Sequence, residues 1–491
     1  MEHRNEAEAR RLPDAARFLD RVRALRDTAS PGGGPLFERG REILVCRSPG
    51  RLDLMGGNDD YTGGLVFEAT IREAVIVAVQ ARDDDLVILS NPAVAGLGWQ
   101  DRIELRLGEL LEGGRLRPAS WLRAWCEAEP GRAWCAYVLG DLYRLLARHP
   151  DKVRAGLALR LESDIPLGKG VSSSAAIEVA PMKAMAARYG IEMRGVELAL
   201  ATQWVEIALT GAACGVMDQL AVTMGGEGSF IPMLCQPCLP EERARLPGNL
   251  RVWGVDSGVR HAVSGIEYEA ARAAAFMGYR YLCEAEGLEP RLDESGAVSR
   301  YVDGRWDGYL ARVAPAVFRE RYERLLPASI DGADFSTRFP LHLDPHTRVL
   351  AGVPYPVLGA TRYAIEENWR VRLFRELVAS AGPEADERSA RLLGELMYQC
   401  HAGYTDCGLA SQATDLLVGL VRAEEGKGLM GAKVTGGGAG GTVAVLGLAG
   451  PEAEEAFGRV VEGYRKESGL EPYVFSGSSP GADDFGVVRL R

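Results

Sequence analysis

The stretch that most constrains this chain is Pro166-Leu-Gly-Lys-Gly-Val-Ser-Ser-Ser-Ala-Ala176. Just before it, Leu157, Leu159 and Leu161 alternate with Ala158, Arg160 and Glu162, the period of a half-buried strand. From Ser172 onward the residues are small and read as a helix. A strand, a glycine turn and a serine-rich helix start together make an anion site. Gly168 and Gly170 let main-chain N–H groups turn inward, and the unpaired N–H groups of the first helical turn add positive potential. Ser172, Ser173 and Ser174 offer hydroxyls to phosphate and a possible oxygen ligand for magnesium. The stretch is no Walker A loop, because Gly168-Lys169 is followed by Gly170 instead of Ser or Thr. The same residues would also serve a turn that caps an ordinary helix.

Two further glycine-rich segments restrict the reading. Lys433-Val-Thr-Gly-Gly-Gly-Ala-Gly-Gly-Thr442 formally holds GxGxxG at Gly436, Gly438 and Gly441. A dinucleotide site needs a helix after that loop, whereas residues 443–448 are an apolar run that reads as a strand. By itself this segment is a tight turn between strands. Ser48-Pro-Gly-Arg-Leu-Asp-Leu-Met-Gly-Gly-Asn-Asp-Asp-Tyr-Thr-Gly-Gly64 collects Arg51, Asp53, Asn58, Asp59, Asp60 and Tyr61, all groups that hydrogen-bond hydroxyls. It reads either as a polar surface loop or as main chain held close to a ligand, and the glycine pairs 56–57 and 63–64 favour the second.

Composition narrows the classes. The 491 residues carry a net charge of −11, a poor match for a polyanion, so no nucleic-acid partner is expected. No apolar run approaches the roughly 18–20 residues that span a bilayer, so no membrane partner is expected either. The charged N-terminus lacks the apolar core of a signal peptide. Nine scattered cysteines suit reduced thiols in a cytoplasm, and the Cys235/Cys238 pair lacks the second pair that a structural zinc site wants. Periodicity suggests an N-terminal helical appendage over 1–40, with Leu19, Val22 and Leu25 on one face before a Pro-Gly-Gly-Gly break at 31–34. Strands are expected near 42–46, 71–80, 86–90 and 486–490. Helices are expected near 134–148, 262–285, 360–380, 387–402, 411–424 and 451–468. The expected architecture is α+β with two lobes, 41–245 and 246–491, an insertion near 286–355 and a cleft between the lobes.

The order and wording of these segments resemble the galactokinase/homoserine kinase/mevalonate kinase/phosphomevalonate kinase (GHMP) superfamily. PGRLDLMGGNDDYTGG resembles its galactokinase substrate signature, PLGKGVSSSAA its ATP signature and KVTGGGAGG its C-terminal signature. Cys214-Gly-Val-Met-Asp-Gln219 is similar to the sugar-kinase branch. KGVSSSAAIEVA, GAACGVMDQ and WGVDSGVRHAVSG are similar to the kinase domain of L-arabinokinases. The resemblance implies a two-lobed GHMP kinase fold, with ATP and Mg²⁺ as cofactors and a small sugar as partner. It implies transfer of the ATP γ-phosphoryl group to the anomeric hydroxyl, with L-arabinose as first acceptor; galactose, a uronic acid or another sugar is the alternative. A sugar-sensing regulator without catalysis is the rival from another class. The oligomeric state stays open.

Carried over residue by residue, the resemblance makes Asp218 the group that orients or deprotonates the attacking hydroxyl. Arg51 stabilises charge beside it. Glu206 and Ser173 become magnesium ligands. Gly168, Gly170, Ser172, Ser173, Ser174, Gly436, Gly437 and Gly438 fall on the nucleotide phosphates. Lys169 either reaches a phosphate or projects into solvent. Asn91 and Trp134 fall by the adenine, Trp134 with a core role equally open. Gly57, Asn58, Asp60, Gly215 and Tyr268 fall on the sugar. Galactokinases carry Glu-His where this chain has Gly57-Asn58, side chains that serve the exocyclic hydroxyl, so their absence suits a pentose. The chain begins without the glycosyltransferase-like half of plant arabinokinases, so a free-standing kinase is expected.

Overall fold

The computed structural model describes residues 3–26, 35–259, 266–296 and 298–490. The 31–34 break and the 260–265 part of WGVDSGVRHAVSG lie outside the described residues. Two long strands, Ile43–Met55 and Leu65–Ala81, form the spine, antiparallel with Ile43 opposite Gln80. They centre a ten-stranded sheet whose path runs His3–Arg4, Val487–Leu490, Ile43–Met55, Leu65–Ala81, Leu157–Ser163, Leu86–Ser90, Arg102–Arg106. Ser229–Leu234 pairs with the other half of Leu65–Ala81. The ladder slips between Pro49 and Arg51 and again between Asp53 and Met55. Such bulges re-aim side chains, and here they fall on the charged residues of the 48–64 segment. That segment is no surface loop: residues 48–60 are buried, and the strand continues to Met55.

Helix Ser173–Arg188 lies on this sheet with Cys135–Arg148 beside it. Its alanines and methionines at 175–186 are nearly all fully buried, which explains why its sequence shows little amphipathic contrast. A second, four-stranded sheet has the order Leu429–Val434, Thr442–Leu448, Leu250–Asp256, Val474–Ser476. Helices Glu387–Asp406, Gln412–Ala423 and Pro451–Ser468 cover it, and Ile266–Ala285 packs along Val357–Ser380. The expected insertion folds into short hairpins, Arg291–Asp293 with Arg300–Val302 and Ile330–Asp331 with Pro354–Tyr355.

Two expected divisions need correction. The N-terminal helix Pro13–Ala24 is no appendage: Phe18, Leu19 and Val22 are fully buried with Ile43, Val45, Ile76 and Ile88 on the outer face of the large sheet. The second lobe does not keep residues 246–491 to itself. Its last strand returns to the first sheet, with Val45 opposite Val488. Pairing across more than 400 residues removes an unpaired edge from Ile43–Met55, a gain that local periodicity cannot reveal.

Candidate active site

The strand Ile43–Met55, the turn 166–172 and the start of Ser173–Arg188 meet the loop 436–441 of the second sheet around a chamber of about 80 Å³. The turn is held by Arg51 N–H on the Val171 carbonyl at 3.0 Å. Gly168 and Gly170 take left-handed φ of 71° and 70°, and Ser172 shares that region at 60°. A left-handed serine at a helix start is costly outside glycine and asparagine. Its hydroxyl is buried and has no partner among the described residues, leaving a donor at the chamber wall.

Arg51 and Asp218 face each other across this chamber. Arg51 Nε and Nη2 both donate to Asp218 Oδ1, at 3.0 and 2.7 Å, while Nη1 donates to the Gly170 carbonyl at 2.7 Å. Asp218 Oδ2 is left for another hydrogen. The Arg51 side chain is 3% exposed and that of Asp218 27%. Burial opposes the Arg51 charge, but Asp218, Glu68 and Asp53 outweigh it and keep the guanidinium protonated. Glu68 lies 3.5 Å beneath Arg51, fully buried and without a hydrogen-bond partner. Burial pushes its carboxyl well up, Asp53 adds to the rise, and the Arg51 guanidinium opposes it.

Glu206 opens a five-residue π-turn that ends Gly195–Val205, a distortion frequent at functional sites. Its carboxylate accepts from Gln219 Nε2 at 2.5 Å and is 3% exposed. Burial raises it to about 7, against hydrogen bonds from Ser174, Gln219 and Cys214. Asp60 Oδ2 accepts the Met217 N–H at 3.2 Å, and Gly215 must be glycine because a Cβ there would sit 1.8 Å from the same oxygen. Burial and neighbouring Asp218 raise Asp60 to about 6. Tyr268 and Asn58 complete this wall; Asn58 Oδ1 is buried and unpartnered.

Ser173 and Ser174 also line a second, largely apolar cavity of about 430 Å³. Its walls include Val94, Tyr137, Leu161, Ile165, Ile177, Asn91 and Trp134. Trp134 is buried, its Nε1 donates to the Gln100 carbonyl at 2.8 Å, and it also lines this cavity. Asn91 Oδ1 is buried without a donor.

Three expected site residues fall elsewhere. Lys169 neither faces the chamber nor projects freely; its ammonium lies 2.5 Å from Asp256 on the second sheet, because a buried carboxylate recruits the nearest cation. Gly57 lies behind the chamber. A Cβ there would sit 2.1 Å from both Asp53 Oδ2 and Tyr404 Oη, so the space a side chain would take is filled. Gly438 packs under the loop against Leu409 and Tyr404, while Gly436 and Gly437 line the chamber. Glu68, Gln219 and Cys214 were not singled out from sequence. Gln219 could have been, since it adjoins Asp218 in CGVMDQ; Glu68 reads as any strand glutamate. Among the described residues no three His, Cys, Asp or Glu converge to hold a metal, the CQPC pair included.

Residues 136–226 match the GHMP kinases N terminal domain and residues 36–81 the galactokinase galactose-binding signature. An L-arabinokinase of Arabidopsis thaliana is 35% identical over 96% of this chain, and the chain spans about half of that protein, 48%. A galactokinase of Chloroflexus aurantiacus is 29% identical over 88% of this chain and 90% of its own length. The solved structure of Lactococcus lactis galactokinase complexed with galactose superposes with a TM-score of 0.70 at 20% identity, covering 94% of this chain and 99% of that one. A Methanococcus jannaschii mevalonate kinase shares the fold at a TM-score of 0.52 and 15% identity, over 90% of this chain and 99% of its own.

Proposed function

Because this chain belongs to the GHMP kinase superfamily, in its galactokinase branch, we propose that it transfers the γ-phosphoryl group of ATP to the anomeric hydroxyl of a monosaccharide, L-arabinose first. The observation that carries this reading is the Arg51–Asp218 pair set in one chamber with the 166–174 turn, itself opening onto an apolar cavity. Phosphoryl transfer needs positioning and charge stabilisation more than a protein nucleophile. The apolar cavity takes the adenine, with Asn91 Oδ1 as acceptor for its exocyclic amine. Main-chain N–H groups of 168–174 and the Gly436–Gly437 peptides take the phosphates. The acceptor hydroxyl gives its proton to the open Asp218 Oδ2 as its oxygen attacks the γ-phosphorus, and ADP leaves. Arg51 orients Asp218 through two hydrogen bonds, and its charge lies beside the oxygens that gain charge.

The chamber fits a magnesium ion. Glu206, Asp218 and Asp60 face it with Arg51 as the cation among its lining residues, an excess of buried carboxylate that a divalent cation offsets. Glu206 and the Ser173 hydroxyl are the hard oxygen donors that would hold the ion. Two protein ligands suit an ion that keeps waters and phosphate oxygens for the rest of its shell. When bound, the ion neutralises charge on the nucleotide phosphates.

The acceptor is read from Asp60, Gly215, Tyr268 and Asn58. L-Arabinose is favoured by the L-arabinokinase relative and by the filled space at Gly57, which leaves no room there for a group serving an exocyclic carbon. Asn58 Oδ1, buried without a partner, favours a second reading in which a hexose such as galactose supplies one more hydroxyl. The buried free thiols suit a reducing cytoplasm. Purified protein with MgATP and L-arabinose, D-galactose, D-galacturonate or D-glucuronate in turn tests this reading. ADP release with L-arabinose, and a phosphorus spectrum of a glycosyl 1-phosphate, is expected. Release with a hexose alone would replace the substrate, and no ADP release with any of these sugars would favour a sugar-sensing regulator.

A further inference from the structure

Gly436 and Gly437 line the chamber from the second sheet, and the orientation of the peptide between them decides what they can offer. Its carbonyl is already engaged. It accepts the hydroxyl of Tyr404, from the last turn of Glu387–Asp406, at 2.5 Å. In a trans peptide the carbonyl and the following N–H point opposite ways. With the Gly436 carbonyl held by Tyr404, the Gly437 N–H points away from that tyrosine; Gly437 lines the chamber and its N–H makes no hydrogen bond among the described residues. Gly436 has φ of 69°, and a Cβ on it would lie 2.8 Å from the Gly170 carbonyl and 3.0 Å from Arg51 Nη2, so this peptide sits hard against the catalytic pair.

Tyr404 is itself fixed. It is fully buried, its ring meets that of Tyr363 edge-on at 5.6 Å, and the Lys433 ammonium lies 5.4 Å from its ring centre. The acceptor-side loop hangs on the same scaffold: Tyr363 donates to the Gly57 carbonyl at 2.6 Å, Asp53 accepts the Gly57 N–H at 3.2 Å, and Lys433 pairs with Asp53. The other donor near the Gly436 carbonyl is Asn58 Nδ2, at a weak 3.5 Å.

We infer that Tyr404 is a positioning residue: its hydroxyl sets the Gly436–Gly437 peptide so that the Gly437 N–H donates to the phosphoryl group in transit beside Asp218. This rests on the kinase reading above but is tested separately from it. Without the hydroxyl, the Gly436 carbonyl loses its strong donor and the peptide is free to rotate, which turns the N–H away from the γ-phosphoryl position. The β-phosphate, cradled by the 166–174 turn, is not served by this peptide.

The test compares calorimetric affinities of wild type, Tyr404→Phe and Tyr363→Phe for magnesium with AMP-PNP and with ADP. Wild-type binding and turnover report on the kinase reading; the variant-to-wild-type ratios report on Tyr404. Tyr404→Phe is expected to weaken AMP-PNP about tenfold, leave ADP within twofold and lower kcat at saturating ATP. Tyr363→Phe, which deletes an equally buried hydroxyl, is expected to move AMP-PNP and ADP together or not at all. If Tyr404→Phe leaves the AMP-PNP to ADP ratio unchanged, or lowers both affinities in parallel, the assignment is wrong and the tyrosine is structural.

Discussion

Replacing Arg51 separates a catalytic from a structural account of the buried pair. Arg51→Met removes two hydrogen bonds to Asp218 Oδ1, one to the Gly170 carbonyl and a contact with Glu68 at 3.5 Å. The stability cost is bounded by who is left behind. Asp218 is 27% exposed and regains water, and the Gly170 carbonyl belongs to a residue that lines the chamber. Burial pushes the carboxyl of Glu68 well up, which favours its neutral form and limits the charge left behind. The remaining penalty is about 1–3 kcal/mol. For a chain of this length, the unfolding entropy of roughly 2 cal/mol/K per residue converts that to about 1–3 °C in Tm. The kinetic cost is larger, because the guanidinium stands where charge develops. Loss of such a preorganised donor costs about 10²–10³ in kcat. Arg51→Lys keeps charge without the fork and should fall between the two. The assay pairs thermal unfolding with ADP release at saturating sugar and ATP. A Tm drop beyond about 10 °C with activity falling only in proportion to folded protein would refute the catalytic role.

The remaining expectations follow from individual contacts. Gly57→Ala should destabilise the fold by about 1–3 kcal/mol, as overpacking of a full site does, since its Cβ meets Asp53 and Tyr404 at 2.1 Å; urea unfolding measures it, and a neutral result would show that the site can relax. Asp60, raised to about 6, accepts hydrogens from the sugar when ionised; its folded pKa is high, so protonation occurs as pH falls through 6. The KM for sugar should then rise up to about tenfold per unit below that point, and a flat sugar profile from pH 7 to 5 would remove Asp60 from the acceptor site. Glu206→Gln should raise the magnesium concentration for half-maximal rate about tenfold or more, read from a magnesium titration at fixed ATP; an unchanged titration would assign the ion to other oxygens.

The parts of this site that sequence discloses are those whose neighbours in space are neighbours in the chain. The alternation over 157–162 and the small residues after Ser172 set out strand, turn and helix in order, and the strand Leu157–Ser163 with the helix Ser173–Arg188 follows that outline. The two β runs around 436–441 pair with Val434 opposite Val443, as the apolar pattern suggests. Contacts between distant segments stay hidden. Lys169 reads as a phosphate or solvent lysine until Asp256, on another sheet, comes within 2.5 Å. Resemblance supplies a position for Gly57 but not the fact that Tyr404 has taken its space. Leu161, Ile165 and Ile177 wall the apolar cavity, yet by type they are core residues, because an apolar pocket and an apolar core ask for the same side chains. The docking of Pro13–Ala24 and the return of Val487–Leu490 are likewise tertiary choices.

The most direct measurement of the central claim is the single-turnover rate of Asp218→Asn with L-arabinose and MgATP, alongside calorimetric affinity for AMP-PNP. Asparagine keeps an oxygen for Arg51 but cannot take the acceptor proton. The account predicts a rate lower by about 10²–10⁴ with nucleotide affinity within a few-fold of wild type. A rate within tenfold of wild type would contradict it.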